Sequence, residues 1–393
     1  MRGRLHIAFA TALLATAAQA KVYVEFRPRM SLMGGYDDNV DIKGTGGDSF
    51  GQAVPGLKLD IFGDHDLRVG LDCEAGIARL SHPQEFGVSD GAFAGSENCA
   101  LQTGVRLSER DKLTFRTRAN YVQDPFSIAQ LGLLLRPGQS QIFVGSFTGD
   151  EVHQLSPRTE LDFGFDANTL FFSAGDPGNG YMLSPRLAYA WKTSARSKWD
   201  LGVREQMFFG IGAPPNLLAP KGTPGGLLDE AHAALLGYTY ALAPWANLTV
   251  RGGAIDITGA RDTWQPTARF QVESYTNSMA FDVVAAHDLI IGPSTAGPIV
   301  GDIAEVGVIR DWEHFQAHLR LGIYRNASAF QTGALGTVGY GGEAGAAWKF
   351  TRDLRLEVAA SRDAMLVDPG VAAGAVDRDV MLVRLVWEKA RFE

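Results

Sequence analysis

Cysteine is nearly absent, two in 393 residues, which excludes a fold framed by disulfides. Long apolar runs are missing too: beyond the first twenty residues no stretch offers the eighteen or so consecutive apolar residues of a spanning helix. There is no basic surplus. The 36 Lys and Arg stand against 44 Asp and Glu for a net charge of −8, a balance that excludes a nucleic-acid partner. No low-complexity linker divides the chain, so it reads as one domain. The eight histidines are scattered. His314 and His318 share a strand face but stand four residues apart, about 13 Å along a strand, too far to hold one metal ion together. Asp37, Asp38, Asn39 and Asp41 lack the spacing of a calcium loop and read as a polar turn. No Gly-x-Ser-x-Gly elbow of a hydrolase is read to go with these histidines, so an enzyme, a metal and a cofactor are not expected.

What is present begins with an export signal. Met1 to His6 carries Arg2 and Arg4, Ile7 to Ala17 is apolar, and Ala18-Gln19-Ala20 is a small-x-small site. This is a secretory signal peptide over residues 1–20, cleaved after Ala20, with the remaining domain at 21–393.

That domain alternates. Val22, Val24, Phe26, Pro28, Met30 and Leu32 fall on one face, and Tyr23, Glu25, Arg27, Arg29 and Ser31 on the other. A period of two over such a length is a strand with one apolar and one polar side. The pattern returns with Leu67 to Ile77, Leu113 to Tyr121, Phe315 to Ile323 and Met381 to Trp387. Strands of ten or more residues are longer than those of soluble sheets. Short turns are predicted at 63–66, 108–111, 166–168, 193–198, 243–246, 276–278, 311–313 and 351–353, with long Gly- and Pro-rich connections between them. Aromatics gather near the short turns, among them Phe62, Trp191, Trp199, Tyr240, Trp245, Trp312 and Trp348. The fold class is therefore all-β: a transmembrane antiparallel up-and-down β-barrel of about eighteen strands in the outer membrane of a Gram-negative bacterium. Its partners are outer-membrane lipid and the barrel assembly machinery. Pro55, Pro157, Pro185 and Pro266 are placed outward, each just after a long loop.

A barrel of that size encloses more space than its wall side chains fill, so an aqueous lumen is expected. Tyr23, Arg27, Arg29, Arg116, Arg118, Arg158, Arg186, Arg204, Arg251, Arg269, Arg320, Tyr324 and Arg384 are assigned to it, facing carboxylates such as Asp60, Asp72, Glu74, Glu160, Glu305 and Glu357. Cys73 and Cys99 lie outward on neighbouring strands, where a register opposing them permits a disulfide. The segment from Asp124 to Pro137 is predicted as a short helix folded into the mouth. Leu131, Leu133, Leu134 and Leu135 are too apolar for an open loop and would form a constriction.

The stretch Pro28 to Leu32 followed by Gly35-Tyr36-Asp37-Asp38-Asn39-Val40 resembles the opening strand and loop of a β-barrel porin family associated with exopolysaccharide synthesis and export. The resemblance implies an outer-membrane conduit for a secreted polysaccharide, working with a periplasmic polysaccharide export protein. Inward Tyr23, Tyr324 and Phe208 would then offer sugar-stacking faces. A passive diffusion porin for small solutes is the alternative.

Overall fold

The computed structural model describes residues 22–38, 46–64, 66–82, 94–122, 142–171, 180–209, 216, 218–219, 221–223, 225–258, 262–291, 298–328, 337–367 and 376–389. The strands are β1 (Tyr23–Asp37), β2 (Asp48–Phe62), β3 (Arg68–Leu80), β4 (Ala94–Arg106), β5 (Asp111–Val122), β6 (Ile142–Ser156), β7 (Thr159–Phe171), β8 (Gly180–Lys192), β9 (Ser197–Phe209), β10 (Leu227–Ala243), β11 (Ala246–Thr258), β12 (Thr263–Tyr275), β13 (Met279–Ile291), β14 (Pro298–Asp311), β15 (Phe315–Ser328), β16 (Thr337–Lys349), β17 (Leu354–Val367) and β18 (Val376–Glu388). Each pairs antiparallel with the next, and β1 also pairs with β18 from Arg29↔Glu388 to Asp37↔Val380, closing an eighteen-stranded barrel. Closure removes the sheet edges and satisfies the backbone without water, as a bilayer demands. The signal segment and the 124–137 segment with Leu131, Leu133, Leu134 and Leu135 lie outside the described residues.

At one end the strands are joined by turns of two to five residues, at the other by connections of six or more, except for the four residues between β11 and β12. Several turns are closed by a hydroxyl accepting amide hydrogens from residues two and three ahead: Ser108 from Arg110 and Asp111 at 3.0 and 3.1 Å, and Thr351 from Asp353 and Leu354 at 3.2 and 3.1 Å. Ser156 does the same for Arg158 and Thr159, at 3.2 and 3.1 Å, which fixes a turn the sequence reading missed. Pro157 and Arg158 form that turn, whereas residues 166–168, predicted as a turn, lie inside β7. Arg158 is therefore not a wall residue of the lumen. Pro157 suits the turn because its ring pre-sets φ.

The face away from the lumen is apolar and exposed, with Leu32 at 52%, Leu201 at 57% and Ile323 at 61%. A closed barrel wearing its apolar residues outside is built for lipid, and its strands place it in an outer membrane. Near the short turns this face carries paired rings: Trp199 with Tyr238 at 4.6 Å, Tyr189 with Trp191 at 6.0 Å and Phe315 with Trp348 at 6.3 Å. Phe62, counted with this girdle from sequence, turns inward and meets Tyr23 at 6.1 Å. Toward the long connections the outward face ends in polar rows. Glu205, His232 and Asp256 are in register across β9 to β11, as are His287, Asp302 and Arg325 across β13 to β15. Arg362 of β17 reaches Asp379 of β18 at 3.4 Å on the same side.

Outward prolines break ladders where their missing N–H leaves a gap. The β2–β3 register skips from Ala53↔Ile77 to Gly56↔Glu74 around Pro55, and β8–β9 skips from Leu183↔Met207 to Arg186↔Arg204 around Pro185. Pro266 stands where β12 and β13 part: their pairing runs from Tyr275↔Ala280 only to Ala268↔His287, although both strands continue.

Candidate functional site: the lumen

The alternation that sets lipid outside sets charge inside. Of the predicted lumen residues, Tyr23, Arg27, Arg29, Arg116, Arg118, Arg186, Arg204, Arg251, Arg269, Arg320, Tyr324 and Arg384 lie on inward positions of their strands. Most are neutralised by neighbours. Arg27 pairs with Asp60, and Arg29 with Asp72 at 2.6 Å and Glu74 at 2.9 Å. Arg186 bridges Asp150 and Asp166. Arg251 reaches Asp200 at 3.1 Å, Arg320 pairs with Glu305, and Arg384 lies 3.8 Å from Glu357 while donating to Ser31 Oγ at 3.0 Å. Arg269 donates to Gln271 at 3.1 Å. Such cross-strand pairs stiffen the wall and cancel its local field.

One sector differs. On β2 to β5 the inward residues Lys58, Lys112, Arg116 and Arg118 form no ion pair among the described residues, and Arg68 lies 5.8 Å from the Phe62 ring centre. Lys112, Arg116 and Arg118 follow one another up β5. Lys58, Arg68 and Lys112 line a groove of about 570 Å³ at the short-turn mouth, together with Arg27, Asp60 and Arg106. Sequence reading placed Arg68, Arg116 and Arg118 inward and set Lys112 on the polar face of its strand, but missed Lys58, although its parity on β2 gives it the same direction.

A second feature is a buckle in the wall. β9 and β13 are four strand spacings apart, about 19 Å along the sheet. Yet Arg204 of β9 binds Asp288 of β13 through both nitrogens, at 2.8 and 2.5 Å. Cα atoms of β8 and β13, five spacings apart, come within 8 Å. Above Ala268 the tip of β13 has left β12 and leaned into the lumen. Thr267 Oγ1 covers the break by donating to the carbonyl of His287 at 3.1 Å and to Asp288 at 3.3 Å. Gln206 Nε2 donates to the Leu289 carbonyl at 3.3 Å. Around this junction Met182, Phe208, Ala231, Ala233, Ile255, Ile257 and Leu289 pack into a dry cluster. Phe208, expected to line the water path, is 3% exposed beneath it, and Tyr324 lies against Gly339 in the wall.

Cys73 and Cys99 are directly opposed with Cα atoms 4.1 Å apart, and their sulfurs are bonded on the outward face between β3 and β4. The expected result on purified, non-reduced protein is no titratable thiol, and two after reduction. Free thiols in the native sample would contradict the pairing. Gly47-Asp48-Ser49-Phe50-Gly51 spells the Gly-x-Ser-x-Gly pattern of hydrolase elbows, which the sequence reading overlooked. That elbow requires a sharp strand-to-helix turn, whereas residues 48–51 run straight along β2 with Ser49 outward and Asp48 inward. His82 Nδ1 lies 3.0 Å from Asp48 Oδ1. His318, weighed above for metal binding, lies 2.8 Å from Glu343.

No protein-family model matches the chain, and no curated protein sequence matches it. Among solved structures it is similar to OccK2 (OpdF) of Pseudomonas aeruginosa in complex with glucuronate, at 10% identity, covering 95% of this chain and 99% of that one, with a TM-score of 0.48. It is also similar to a BenF-like porin from Pseudomonas fluorescens at 11% identity, covering 94% and 99%, with a TM-score of 0.46. The siderophore receptor PirA of Pseudomonas aeruginosa gives 8% identity, 93% and 80% coverage, and a TM-score of 0.39.

Proposed function

We propose that the protein is an outer-membrane diffusion channel for small hydrophilic solutes, with a preference for anions. The observation that carries this reading is the gathering of unpaired cations on the adjoining strands β2 to β5, whereas the inward carboxylates without an ion pair among the described residues, Asp162, Glu273, Asp282 and Asp363, are spread over β7, β12, β13 and β17. A cleft lined by one sign of charge between low-dielectric walls raises the local concentration of the opposite ion. The ladder on β5 repeats that field at successive depths, so an anion passes between weak sites rather than resting at one.

The polysaccharide reading asked for aromatic faces along the water path. Of its three rings, Phe208 is buried, Tyr324 lies half-buried against Gly339, and Tyr23 is exposed at the mouth. That distribution favours small solutes over a sliding polymer.

Reconstituted in planar bilayers under a salt gradient, the channel is expected to give a reversal potential on the anion-selective side. Replacing Lys112, Arg116 and Arg118 by alanine together should move it toward the cation side. A wild-type channel that prefers cations, or a triple variant with unchanged selectivity, would overturn the anion reading. Current blocked by added polysaccharide but insensitive to these residues would restore the polymer conduit.

A further inference from the structure

We infer that the wall itself sets the size limit of this channel: the inward end of β13 at Asp288 and Leu289, with the end of β14 paired to it, is its filter, and Arg204 with Asp288 is the latch that holds it. The inference rests on the channel reading above and adds where the passage is narrowed and by what.

Three observations carry it. The tip reaches across the lumen side of β9 to β12, a displacement that no regular barrel curvature produces. The part of the lumen it takes is filled, because Ile255 and Ile257 are fully buried beneath it. The junction also has the composition of a joint. Gln206 is 2% exposed yet its Oε1 has no partner, and neither has Arg204 Nε. A contact serving stability alone would bury apolar groups there, since an unsatisfied buried polar atom costs free energy. The bidentate ion pair holds the tip only in its inward position. Released, Leu289 would find itself opposite Pro266 on β12, as the Ala268↔His287 register continues. With no N–H on that proline, the wall offers a poor ladder to return to.

The test is single-channel conductance and the exclusion limit for neutral sugars in liposome swelling, for the full chain and for Arg204→Ala and Asp288→Asn. Heat-modifiable gel mobility selects folded material. Each variant is expected to raise conductance by roughly two-fold, as lumen cross-section grows, and to admit larger sugars. The reversed pair Arg204→Asp with Asp288→Arg should return both values toward wild type. Folded single variants with unchanged or lower conductance overturn the filter and leave the channel reading standing. A wild-type protein that passes neither current nor sugars overturns the channel reading, and the filter with it. Should Arg204→Ala fail to fold, Asp288→Asn, which keeps the shape of the side chain, decides the matter.

Discussion

Replacing Arg378 by alanine is expected to cost about 3–5 kcal/mol of barrel stability, among the largest effects of any single side chain. Arg378 lies on the last strand and donates to Asp37 on the first, from Nη2 at 2.8 Å and from Nε at 3.2 Å to both oxygens. The guanidinium side chain is 7% exposed and the carboxylate 0%. Directly opposite Asp37 on the other flank is Asp48, also buried at 2%. The top of the closing seam thus sets two carboxylates face to face and gives each a cationic or hydrogen-bonding neighbour, Arg378 for one and His82 for the other. Without the guanidinium, Asp37 loses three hydrogen bonds and keeps its burial and its opposed carboxylate. Breaking a buried pair from one side is far more damaging than never having built it. Urea unfolding in detergent, followed by tryptophan fluorescence and gel mobility, measures the loss. Arg378→Ala combined with Asp37→Asn should recover a good part of it. An Arg378→Ala barrel as resistant to urea as the parent would refute the account.

The second large effect is expected at Gly253. A Cβ placed there would run into the carbonyl oxygen of Ala234 and lie 2.9 Å from its carbonyl carbon. Both belong to the backbone of the neighbouring strand β10 and cannot swing aside. Gly253→Ala is therefore expected to lose about 3 kcal/mol, near the upper end for overpacking. Gly51, with nothing within 4 Å of its would-be Cβ, is the control, and Gly51→Ala should stay within about 0.5 kcal/mol of wild type. Equal unfolding midpoints for the two variants would show that β10 and β11 do not approach so closely.

The strand number and the direction of most side chains were legible because alternation along β1, β3, β5, β15 and β18 is clean. Between 142 and 171 it was not, and the reading placed the turn about ten residues too late. The cause is glycine on the outward face of β6. Gly145 and Gly149 lie where apolar side chains were looked for, and both make room for rings. Gly149 is covered by Phe115 and Phe147, whose centres are 5.9 Å apart. Arg158 went astray with that turn. The inward arginines were legible as a class, but their partners were not, since a partner depends on register between strands far apart in sequence. The buckle at β13 was illegible for a stronger reason. Arg204 and Asp288 each look like ordinary inward charges, and only the lost pairing above Ala268 brings them together.

The polar rows on the outward face also act as a ruler. Glu205, His287, Asp302 and Arg362 each stand roughly ten residues from the short turn of their hairpin. With a rise of about 3.3 Å per residue and a strand tilt near 40°, ten residues cover about 25 Å of membrane depth. That is several ångströms less than the roughly 30 Å of an average bilayer. Hydrophobic matching therefore favours a thin host membrane such as the bacterial outer membrane. In a thicker one the barrel would have to draw the lipid inward or carry Glu205, His232 and Asp256 below the headgroups. Vesicles of short-chain phosphatidylcholine should accordingly take up the unfolded chain faster than those of long-chain lipid.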